Sequence, residues 1–547
     1  MHEDMATVMD LCIEKIKEIQ GSARKKNDAT RPMWPMIVLR TPKGWTGPKE
    51  IDGKKIEDSF RAHQIPIEVT SNHPESLKRL EEWLRSYRPD ELFTKDGKLK
   101  KELKALAPVS FQRMGSNPNA NGGSLLIPLT LPDFKEYGVN VSRPGEVLAQ
   151  DMTELGRFIK DVVAQNAEKH NFRIFGPDEA LSNRLNHVFD VTDRKWNERV
   201  LPADEFLAED GVVLDSYLSE HACEGWLEGY LLTGRHGFLH SYEAFIRVVD
   251  SMVSQHAKWL KMAGEVSWRK DIASLNLILT SHVWQQDHNG YTHQDPGFLN
   301  HILTKKANIV RAYLPPDANT LLSCVHHVLQ TKNYVNVIVA SKHPTPQWLT
   351  PKEAEMHCAK GIGIWGFASN DRGVEPDLVI ATCGNMPTLE GLAAVRILRE
   401  YLPEIHIRFV NVVDLMKLQS ASIHPHGLSD HDYDLIFTKE KPIVFAFHGY
   451  PNLIHELTYR RENKNLHVRG YNEEGSITTP FDMRVLNKVD RYHLVLLALE
   501  YLPSFENHSI YLAEYCKNML VKHSEYIKEY GVDMPEVADW TWEDNRK

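Results

Sequence analysis

Ser274-Leu-Asn-Leu-Ile-Leu-Thr-Ser281 is a short apolar run that leads directly into a dense polar segment. A run of this length without alternation predicts a strand that is buried on both faces, as in a parallel sheet covered by helices. Val335-Asn-Val-Ile-Val-Ala-Ser341 and Phe172-Arg-Ile-Phe175 repeat the pattern, and helical spacing lies between them. The middle of the chain is therefore predicted to be an α/β domain with a mainly parallel sheet.

Both ends of the chain show a related pattern. Residues 377–383, 406–413 and 442–447 are apolar runs that predict strands, and helical spacing follows the first of them. Near the start, Pro35-Met-Ile-Val-Leu39 predicts a further buried strand, which a helical pattern precedes. We therefore expect the α/β class, with three α/β domains whose sheets are mainly parallel.

Ser116-Asn-Pro-Asn-Ala-Asn-Gly-Gly123 is the clearest break in these patterns. Most of its residues are Asn, Gly or Pro, which favour turns over helices and strands. We predict a linker at 116–123, which divides the chain into a first domain at 1–115, a middle domain at 124–349 and a carboxyl-terminal domain at 350–547.

The composition indicates a globular protein with no general affinity for polyanions. Of the 547 residues, 42% are hydrophobic and 25% are charged, and the formal net charge is −10. This charge argues against binding to nucleic acid or to an anionic membrane, and no apolar run approaches the thickness of a bilayer. The 6 cysteines are scattered without a Cys-x-x-Cys pair, which is typical of reduced thiols in a cytoplasm, so we expect a cytoplasmic location.

The polar segment from Ser281 to Pro296 is the strongest candidate site. It follows a predicted strand, and ligands of parallel α/β sheets bind beyond the carboxyl ends of the strands. Its His282, Asp287, His288 and His293 could be metal ligands, but their spacing matches no zinc signature. Recognition of a polar substrate fits its amides and aromatic residues better, and a purely structural loop is the remaining alternative.

Three other features each allow two interpretations. Gly361-Ile-Gly-Ile-Trp-Gly366 matches the dinucleotide fingerprint, but it follows a predicted helix, so a glycine turn that ends the helix is favoured. Glu220 begins a predicted helix and could be a dipole-compensating residue or a buried acid that shares a proton with a cofactor ring. Lys43 and His63, in or after a Gly/Pro-rich loop, could be solvated or could contact a phosphate or substrate.

Several strings, in order along the chain, resemble the phosphoketolases. The matching strings are Leu39-Arg-Thr-Pro-Lys-Gly-Trp-Thr-Gly-Pro-Lys49, Ser59-Phe-Arg-Ala-His-Gln64, Phe175-Gly-Pro-Asp-Glu179, Ser182-Asn-Arg184, Ser219-Glu-His221, Leu232-Thr-Gly-Arg-His-Gly237, Gln286-Asp-His-Asn-Gly290, Thr292-His-Gln-Asp-Pro296, Asn411-Val-Val-Asp-Leu415 and Gly475-Ser-Ile-Thr-Thr-Pro-Phe-Asp-Met483. The arrangement is more distantly similar to transketolase.

The resemblance implies a transketolase-like fold that binds thiamine diphosphate with Mg²⁺. It implies a lyase that cleaves xylulose 5-phosphate, fructose 6-phosphate or both with inorganic phosphate to acetyl phosphate, an aldose phosphate and water. It also implies a homodimer or higher homo-oligomer whose active site forms between subunits. In this family the first domain binds the diphosphate and the middle domain binds the aminopyrimidine.

The same resemblance assigns roles to individual residues. Glu220, His63 and His293 are expected to be catalytic, with Glu220 on the aminopyrimidine. Tyr242 and Phe245 are expected to contact the cofactor. The expected contacts to substrate or phosphate are Lys43, Ser182, Arg269, Gln286, His288, Asn289 and Lys342.

One departure from the family pattern concerns the diphosphate. The sequence has no Gly-Asp-Gly, the motif with which the family holds magnesium, so no residue of this chain is expected to bind the metal. We expect the first domain to be incomplete and this chain, as it stands, to bind thiamine diphosphate poorly. Two alternatives to an active phosphoketolase are a catalytically incompetent fragment of it and a transketolase-type two-carbon transferase.

Overall fold

The computed structural model describes residues 2–196, 199–215, 218–502 and 506–542. It divides into two compact units, Met1–Val109 and Ser110–Lys547. No helix in the described ranges combines the length and the apolar character that crossing a membrane requires.

The regular elements of the first unit are mainly helices, joined by long irregular segments. Its elements are α1 (His2–Lys26), β1 (Glu50–Ile51), β2 (Lys54–Lys55), α2 (Pro74–Arg85), α3 (Pro89–Leu92) and α4 (Lys101–Lys104). Strands β1 and β2 pair antiparallel. The prediction of a mainly parallel α/β domain was therefore wrong for the described part of this unit.

The predicted strand at 35–39 is also corrected. Residues 35–39 form no strand, and their large side chains are exposed, with Met36 at 83% and Val38 at 71% of full accessibility. A strand needs a neighbour that accepts and donates its backbone hydrogen bonds. None of the described residues 2–109 pairs with this run, so its apolar composition alone does not make it a strand.

The second unit contains two large sheets and one two-stranded sheet. The elements as far as residue 346 are β3 (Leu148–Gln150), α5 (Asp151–Asn166), β4 (Phe172–Gly176), β5 (Val213–Asp215), α6 (Glu220–Leu232), β6 (His236–Tyr242), α7 (Asp250–Gly264), β7 (Leu275–Thr280), α8 (Phe298–Ile302), β8 (Val310–Tyr313), α9 (Ala318–Val328), β9 (Val335–Val339) and β10 (Pro344–Pro346). The remaining elements are α10 (Pro351–Lys360), β11 (Ile362–Ile364), β12 (Leu378–Cys383), α11 (Asn385–Tyr401), β13 (Ile407–Val412), α12 (Asp430–Phe437), β14 (Ile443–Phe447), α13 (Pro451–Thr458), β15 (Leu466–Arg469), α14 (Pro480–Leu486), α15 (Arg491–Glu500), α16 (Glu506–Tyr530) and α17 (Pro535–Ala538).

The first sheet is parallel throughout, with strand order β5-β4-β6-β7-β9-β8. Every residue of β7 and of β9 is buried, which confirms that their continuous apolar runs are central strands with helices on both faces. Strand β5, which follows β4 along the chain, pairs on one side of β4, and β6, which comes next, pairs on the other side of β4. The order therefore reverses between β4 and β6, and the carboxyl ends of these strands form a crevice.

The second sheet has the order β11-β13-β12-β14-β15. Its strands are parallel except β11, which pairs antiparallel with β13. Gly361 ends α10 in the left-handed conformation at φ 72°, so the predicted helix-ending turn is confirmed. The dinucleotide fingerprint requires a strand before its first glycine, and here a helix precedes Gly361.

Buried polar contacts join the two sheets. Strands β3 and β10 form a small antiparallel pair beside them. At the start of α11 the Asn385 amide donates to the Asp151 carboxylate at 3.3 Å, to the Pro316 carbonyl at 2.9 Å and to the Thr345 hydroxyl at 3.2 Å. Burial and the nearby Asp317 raise the pKa of Asp151 well above its usual range.

The segment predicted to be a linker packs within the second unit. The Asn121 side chain is 3% exposed and donates to the Trp268 carbonyl at 2.8 Å. A Cβ on Gly122 would overlap the backbone of Leu232, so only glycine fits there. The turn-forming composition indicated the irregular backbone correctly, but it carries no information about tertiary packing.

Candidate active site

Three residues with strained backbone lie around the crevice between β4 and β6. Asp178 and Arg184 follow β4 with φ angles of 62° and 63°, and Ser281 follows β7 with φ 47°. Residues other than glycine rarely adopt positive φ, and such residues persist where the surrounding structure holds them, often at functional sites. The strained positions of Asp178, Arg184 and Ser281 are consistent with a functional site in this crevice.

Tyr242, the last residue of β6, connects the predicted phosphate contacts. Its hydroxyl donates to the Ser182 hydroxyl at 3.1 Å, and the Lys342 ammonium lies 3.5 Å from the Tyr242 oxygen and 4.5 Å above the ring. Lys342 is 8% exposed, although a lysine is seldom buried without a partner. The structure therefore brings Ser182, Tyr242 and Lys342 together as one chain of polar contacts from three strand ends.

The predicted aromatic residues lie beside this chain. The rings of Tyr242 and Phe245 stack with centroids 5.6 Å apart, and the His293 imidazole meets the Phe245 ring edge-on at 4.9 Å. Burial, with further contributions from His288 and Lys342, lowers the pKa of His293. His293 is thus neutral at pH 7 and can accept a proton.

Two acidic side chains face each other at the start of α6. Glu220 begins this helix and is 8% exposed, and among the described residues no side chain forms a hydrogen bond with its carboxylate. Burial and the charge of Glu220 raise the pKa of Glu179 to about 8. The Asp215 carboxylate fixes the Glu179 backbone by accepting from its N–H at 2.9 Å. Sequence reasoning missed Glu179 as a site residue, although it lies in the matching string Phe175–Glu179.

A buried polar network supports the floor of the crevice. Asn183 bonds to the His240 Nδ1 at 2.9 Å and accepts from the Thr280 hydroxyl at 2.5 Å. Burial lowers the pKa of His240 to about 3, so this ring is neutral. A Cβ on Gly176 would overlap the His240 ring, which explains the glycine at the end of β4.

The polar segment after β7 folds back on itself near the crevice. The Asn289 amide donates to the Gln286 side chain at 2.8 Å and lies 3.3 Å from the His288 ring. The Gln286 side chain is buried, and its own N–H₂ group has no partner among the described residues. The segment thus presents one free amide donor, as recognition of a polar substrate would require.

A buried carboxylate links this segment to the second sheet. The Glu243 side chain accepts from the Val283 N–H at 2.8 Å and pairs with His448 Nε2 at 2.7 Å, and both side chains are 1% exposed. His282 lies beside them with both ring nitrogens unpartnered among the described atoms. Burial, with His448 and His343 nearby, lowers the pKa of His282 well below its usual value. No local pattern signals the Glu243–His448 pair, because its members lie 205 residues apart.

Three predicted residues lie elsewhere. Arg269 donates to the Ala120 carbonyl at 2.9 Å and covers the Trp268 ring at 4.7 Å, before β7 rather than beyond its carboxyl end. Lys43 and His63 belong to the first unit. No cluster of three or more His, Cys, Asp or Glu side chains that could hold a metal ion occurs within residues 2–196, 199–215, 218–502 and 506–542.

Comparison with known families gives matches along the whole chain. A model described as the XFP N-terminal domain matches residues 1–125. One described as D-xylulose 5-phosphate/D-fructose 6-phosphate phosphoketolase matches residues 153–331, and the XFP C-terminal domain matches residues 342–542. The crevice residues from Ser182 to His293 lie within the second match.

Individual proteins and solved structures agree with these models. The chain is 59% identical over 543 residues to a protein named "Probable phosphoketolase" from Clostridium acetobutylicum, which covers 99% of this chain and 68% of that protein. A Rhodopirellula baltica protein of the same name is 58% identical over 543 residues, with the same coverage of 99% and 68%. The solved structure of a transketolase variant from Pichia stipitis aligns with this structure at a TM-score of 0.52 and 14% sequence identity. The alignment covers 79% of this chain and 54% of the transketolase chain, which supports a transketolase-like fold.

Proposed function

This chain belongs to the phosphoketolase family, and we propose that its crevice carries out part of that family's reaction. The reaction cleaves xylulose 5-phosphate or fructose 6-phosphate with inorganic phosphate, giving acetyl phosphate, glyceraldehyde 3-phosphate or erythrose 4-phosphate, and water. The observation that carries the assignment of residues is the junction at Tyr242, which joins an ammonium, two hydroxyls and an aromatic pair within one buried crevice.

The crevice residues suit the aminopyrimidine of thiamine diphosphate. An aminopyrimidine is a flat ring that needs an aromatic wall and a carboxyl partner for a ring nitrogen. Tyr242 and Phe245 provide stacked aromatic surface, and Glu220 provides a buried carboxylate without a side-chain partner among the described residues. When bound, thiamine diphosphate supplies a nucleophilic carbon that adds to the ketose carbonyl and stabilises the negative charge left by carbon–carbon cleavage.

Glu220 and Glu179 would have different roles in proton transfer. At neutral pH the raised pKa of Glu179, about 8, keeps a proton on that carboxyl beside Glu220. A carboxyl that keeps its proton at neutral pH can serve as an acid in the site. Glu220 would hold the ring nitrogen, and Glu179 would supply or take up a proton in the crevice.

Lys342 and Ser182 would bind phosphate. The buried ammonium of Lys342 supplies charge, and the neighbouring Ser182 and Tyr242 hydroxyls supply neutral hydrogen bonds. Because the ammonium is nearly excluded from water, its attraction for a phosphate oxygen is stronger than that of a surface lysine.

His293 would move protons at the substrate hydroxyls. Its neutral ring, held 2.8 Å from the Thr292 hydroxyl, can take a proton from a sugar hydroxyl and return it to a departing water. The free amide of Gln286, with His288 and Asn289 beside it, would orient the same hydroxyls. His63 as a second proton carrier, and Lys43 and Arg269 as phosphate contacts, are part of the same proposal.

Two further parts of the proposal come from the family. Mg²⁺ would accompany the diphosphate, and no residue of this chain is assigned to it. The chain would act as a homodimer, and sedimentation equilibrium tests this directly. A single species with twice the mass of the chain is expected, whereas a monomer at all concentrations would contradict the assembly.

Product analysis tests the reaction. The chain would be incubated with xylulose 5-phosphate, phosphate, Mg²⁺ and thiamine diphosphate, and acetyl phosphate would be trapped as its hydroxamate. Hydroxamate that forms only when phosphate is present would support the proposed reaction, and no product would agree with the poor binding of thiamine diphosphate expected of this chain. Transfer of the two-carbon unit to an added aldose phosphate, without acetyl phosphate, would instead indicate a transketolase.

Binding measurements test the residue assignments without relying on turnover. Glu220→Gln should weaken Mg²⁺–thiamine diphosphate binding in calorimetry, and Glu209→Gln, a change at an exposed acid, should leave it unchanged. Lys342→Gln should weaken phosphate binding by about tenfold or more, because a charge-assisted bond to a buried lysine is lost. Equal binding by Lys342→Gln and the unchanged chain would remove Lys342 from the phosphate site.

A further inference from the structure

A second cavity of about 390 Å³ lies between α9 and α10, and none of the crevice residues lines it. Two cysteines, Cys324 from α9 and Cys358 from α10, form part of its wall. His326, His327 and Lys417 line it as well. The reaction proposed above uses none of these side chains.

The two sulfur atoms are in direct contact. Cys324 Sγ and Cys358 Sγ are 3.7 Å apart, and the Cys358 thiol donates to the Thr320 carbonyl at 3.6 Å. The two thiols are thus close enough for either one to donate to the other. A disulfide has an S–S distance of about 2.05 Å, so the two sulfur atoms would move closer together as the bond forms.

The pair differs from the other cysteines of the chain. Cys358 is partly exposed on the cavity wall, while Cys324 is 3% exposed behind it. Cys223, Cys383 and Cys516 are buried and Cys12 is half-buried in the first unit, and among the described residues no other two thiols are in hydrogen-bond contact. A reachable thiol backed by a second one is the arrangement of a peroxide-sensitive pair, in which the second thiol resolves the first oxidation product.

We propose that Cys324 and Cys358 form a reversible intramolecular disulfide on exposure to hydrogen peroxide. The Cys358 thiolate attacks one peroxide oxygen, which breaks the O–O bond, gives a sulfenic acid on Cys358 and releases hydroxide. The Cys324 sulfur then attacks the Cys358 sulfur and displaces its oxygen as a second hydroxide. The two thiol protons convert both hydroxides to water, so two thiols and one peroxide give one disulfide and two waters.

The cavity provides groups that can carry these protons. Burial lowers the pKa of His326 and of His327, so both imidazoles are neutral bases at pH 7. The cavity volume also admits peroxide, which is close to water in size.

The crosslink would fix a segment that leads to the crevice. It would close a loop from residue 324 to residue 358, and this loop contains β9 and Lys342. The start of α9 already holds the end of this loop, because the Asp317 carboxylate accepts from the Trp348 and Leu349 N–H groups at 3.2 and 3.0 Å. The disulfide would add a covalent restraint at the other end of α9.

Thiol counting and peptide mapping test the proposal. After peroxide treatment and removal of the reagent, two of the six thiols should be lost, and mass spectrometry should find one peptide pair joined through Cys324 and Cys358. Dithiothreitol should restore both thiols. Cys324→Ser should leave a sulfenic acid on Cys358 that dimedone labels, and Cys516→Ser, a matched buried control, should still form the disulfide.

Three results would overturn it. The first is the survival of all six thiols under peroxide that oxidises free glutathione completely. The second is a mapped disulfide between other cysteines. The third is loss of two thiols in Cys358→Ser, which would show that Cys358 is not required.

Discussion

Replacement of Glu243 by alanine should loosen two distant segments at once. This carboxylate accepts from the Val283 N–H at 2.8 Å and pairs with His448 at 2.7 Å, and neither side chain has access to water that could replace these bonds. Each hydrogen bond to a charged group contributes about 1.5–3 kcal/mol. Breaking a buried pair costs about 3–5 kcal/mol, so we expect a local destabilisation in that range.

Hydrogen exchange followed by mass spectrometry measures this effect segment by segment. Amides in 281–286 and in 445–450 should exchange at least about 100-fold faster in Glu243→Ala, since each 1.4 kcal/mol is tenfold. Glu243→Gln should have a smaller effect, because an amide can still accept from Val283. Glu265→Ala, at an exposed acid after α7, should leave both segments unchanged.

A double-mutant cycle then tests whether the pair is coupled. Glu243→Ala, His448→Ala and the double variant should show a coupling energy of about 1–3 kcal/mol, as residues in contact do. Faster exchange confined to 281–286, or additive effects of the two changes, would refute the idea that this carboxylate joins the crevice to the second sheet.

Three further changes probe burial and charge elsewhere in the second unit. Glu390→Gln leaves the buried Arg484 and Arg491 without their common carboxylate, so the free energy of unfolding from chemical denaturation should fall by about 3–5 kcal/mol. The control Glu400→Gln, at an exposed position on the same helix, should leave the free energy of unfolding unchanged, and equal effects of the two changes would contradict this. Because the pKa of Glu179 is raised to about 8, the folded state retains a proton that the unfolded state loses, so its stability falls as pH rises from the usual carboxyl range towards pH 8. Glu179→Gln should therefore gain in urea midpoint relative to the unchanged chain between pH 5 and pH 8, and a constant difference would disprove this pKa shift. Gly176→Ala should lower Tm, because the added Cβ would overlap the His240 ring. Gly229→Ala in α6, where an added Cβ would meet no other atom, should not lower Tm. An unchanged Tm for Gly176→Ala would show that His240 can move.

The sequence predicted those parts of the fold that local patterns determine. Fully buried strands such as β7 and β9 are continuous apolar runs, so their position and type were predicted correctly. The run at 35–39 has the same composition but no pairing partner among the described residues, which shows that composition cannot supply a neighbour. Strand order and the packing of 116–123 depend on contacts between distant residues and were not predictable from patterns.

The candidate site likewise contains residues that the sequence predicted and residues that it did not. Ser182, Tyr242 and Lys342 come from three separate strand ends, and resemblance to a family predicted them before the structure brought them together. Glu179 and Glu243 act through burial and through partners far along the chain, which no local motif records. The roles of Lys43, His63 and Arg269 stay predictions, because the contacts described for them do not test those roles.

The small pair of β3 and β10 has a consequence for synthesis of the chain. Residues 148–150 leave the ribosome long before their partners at 344–346, and Asn385, which bonds to Asp151, is made later still. Until then the Asp151 carboxyl has the Gln347 amide as a donor, at 3.1 Å, but lacks the Asn385 amide on its second oxygen, which opposes its complete burial. The amino-terminal side of the first sheet should therefore close late in translation, and pausing before residue 385 should prolong exposure of its apolar strands to chaperones.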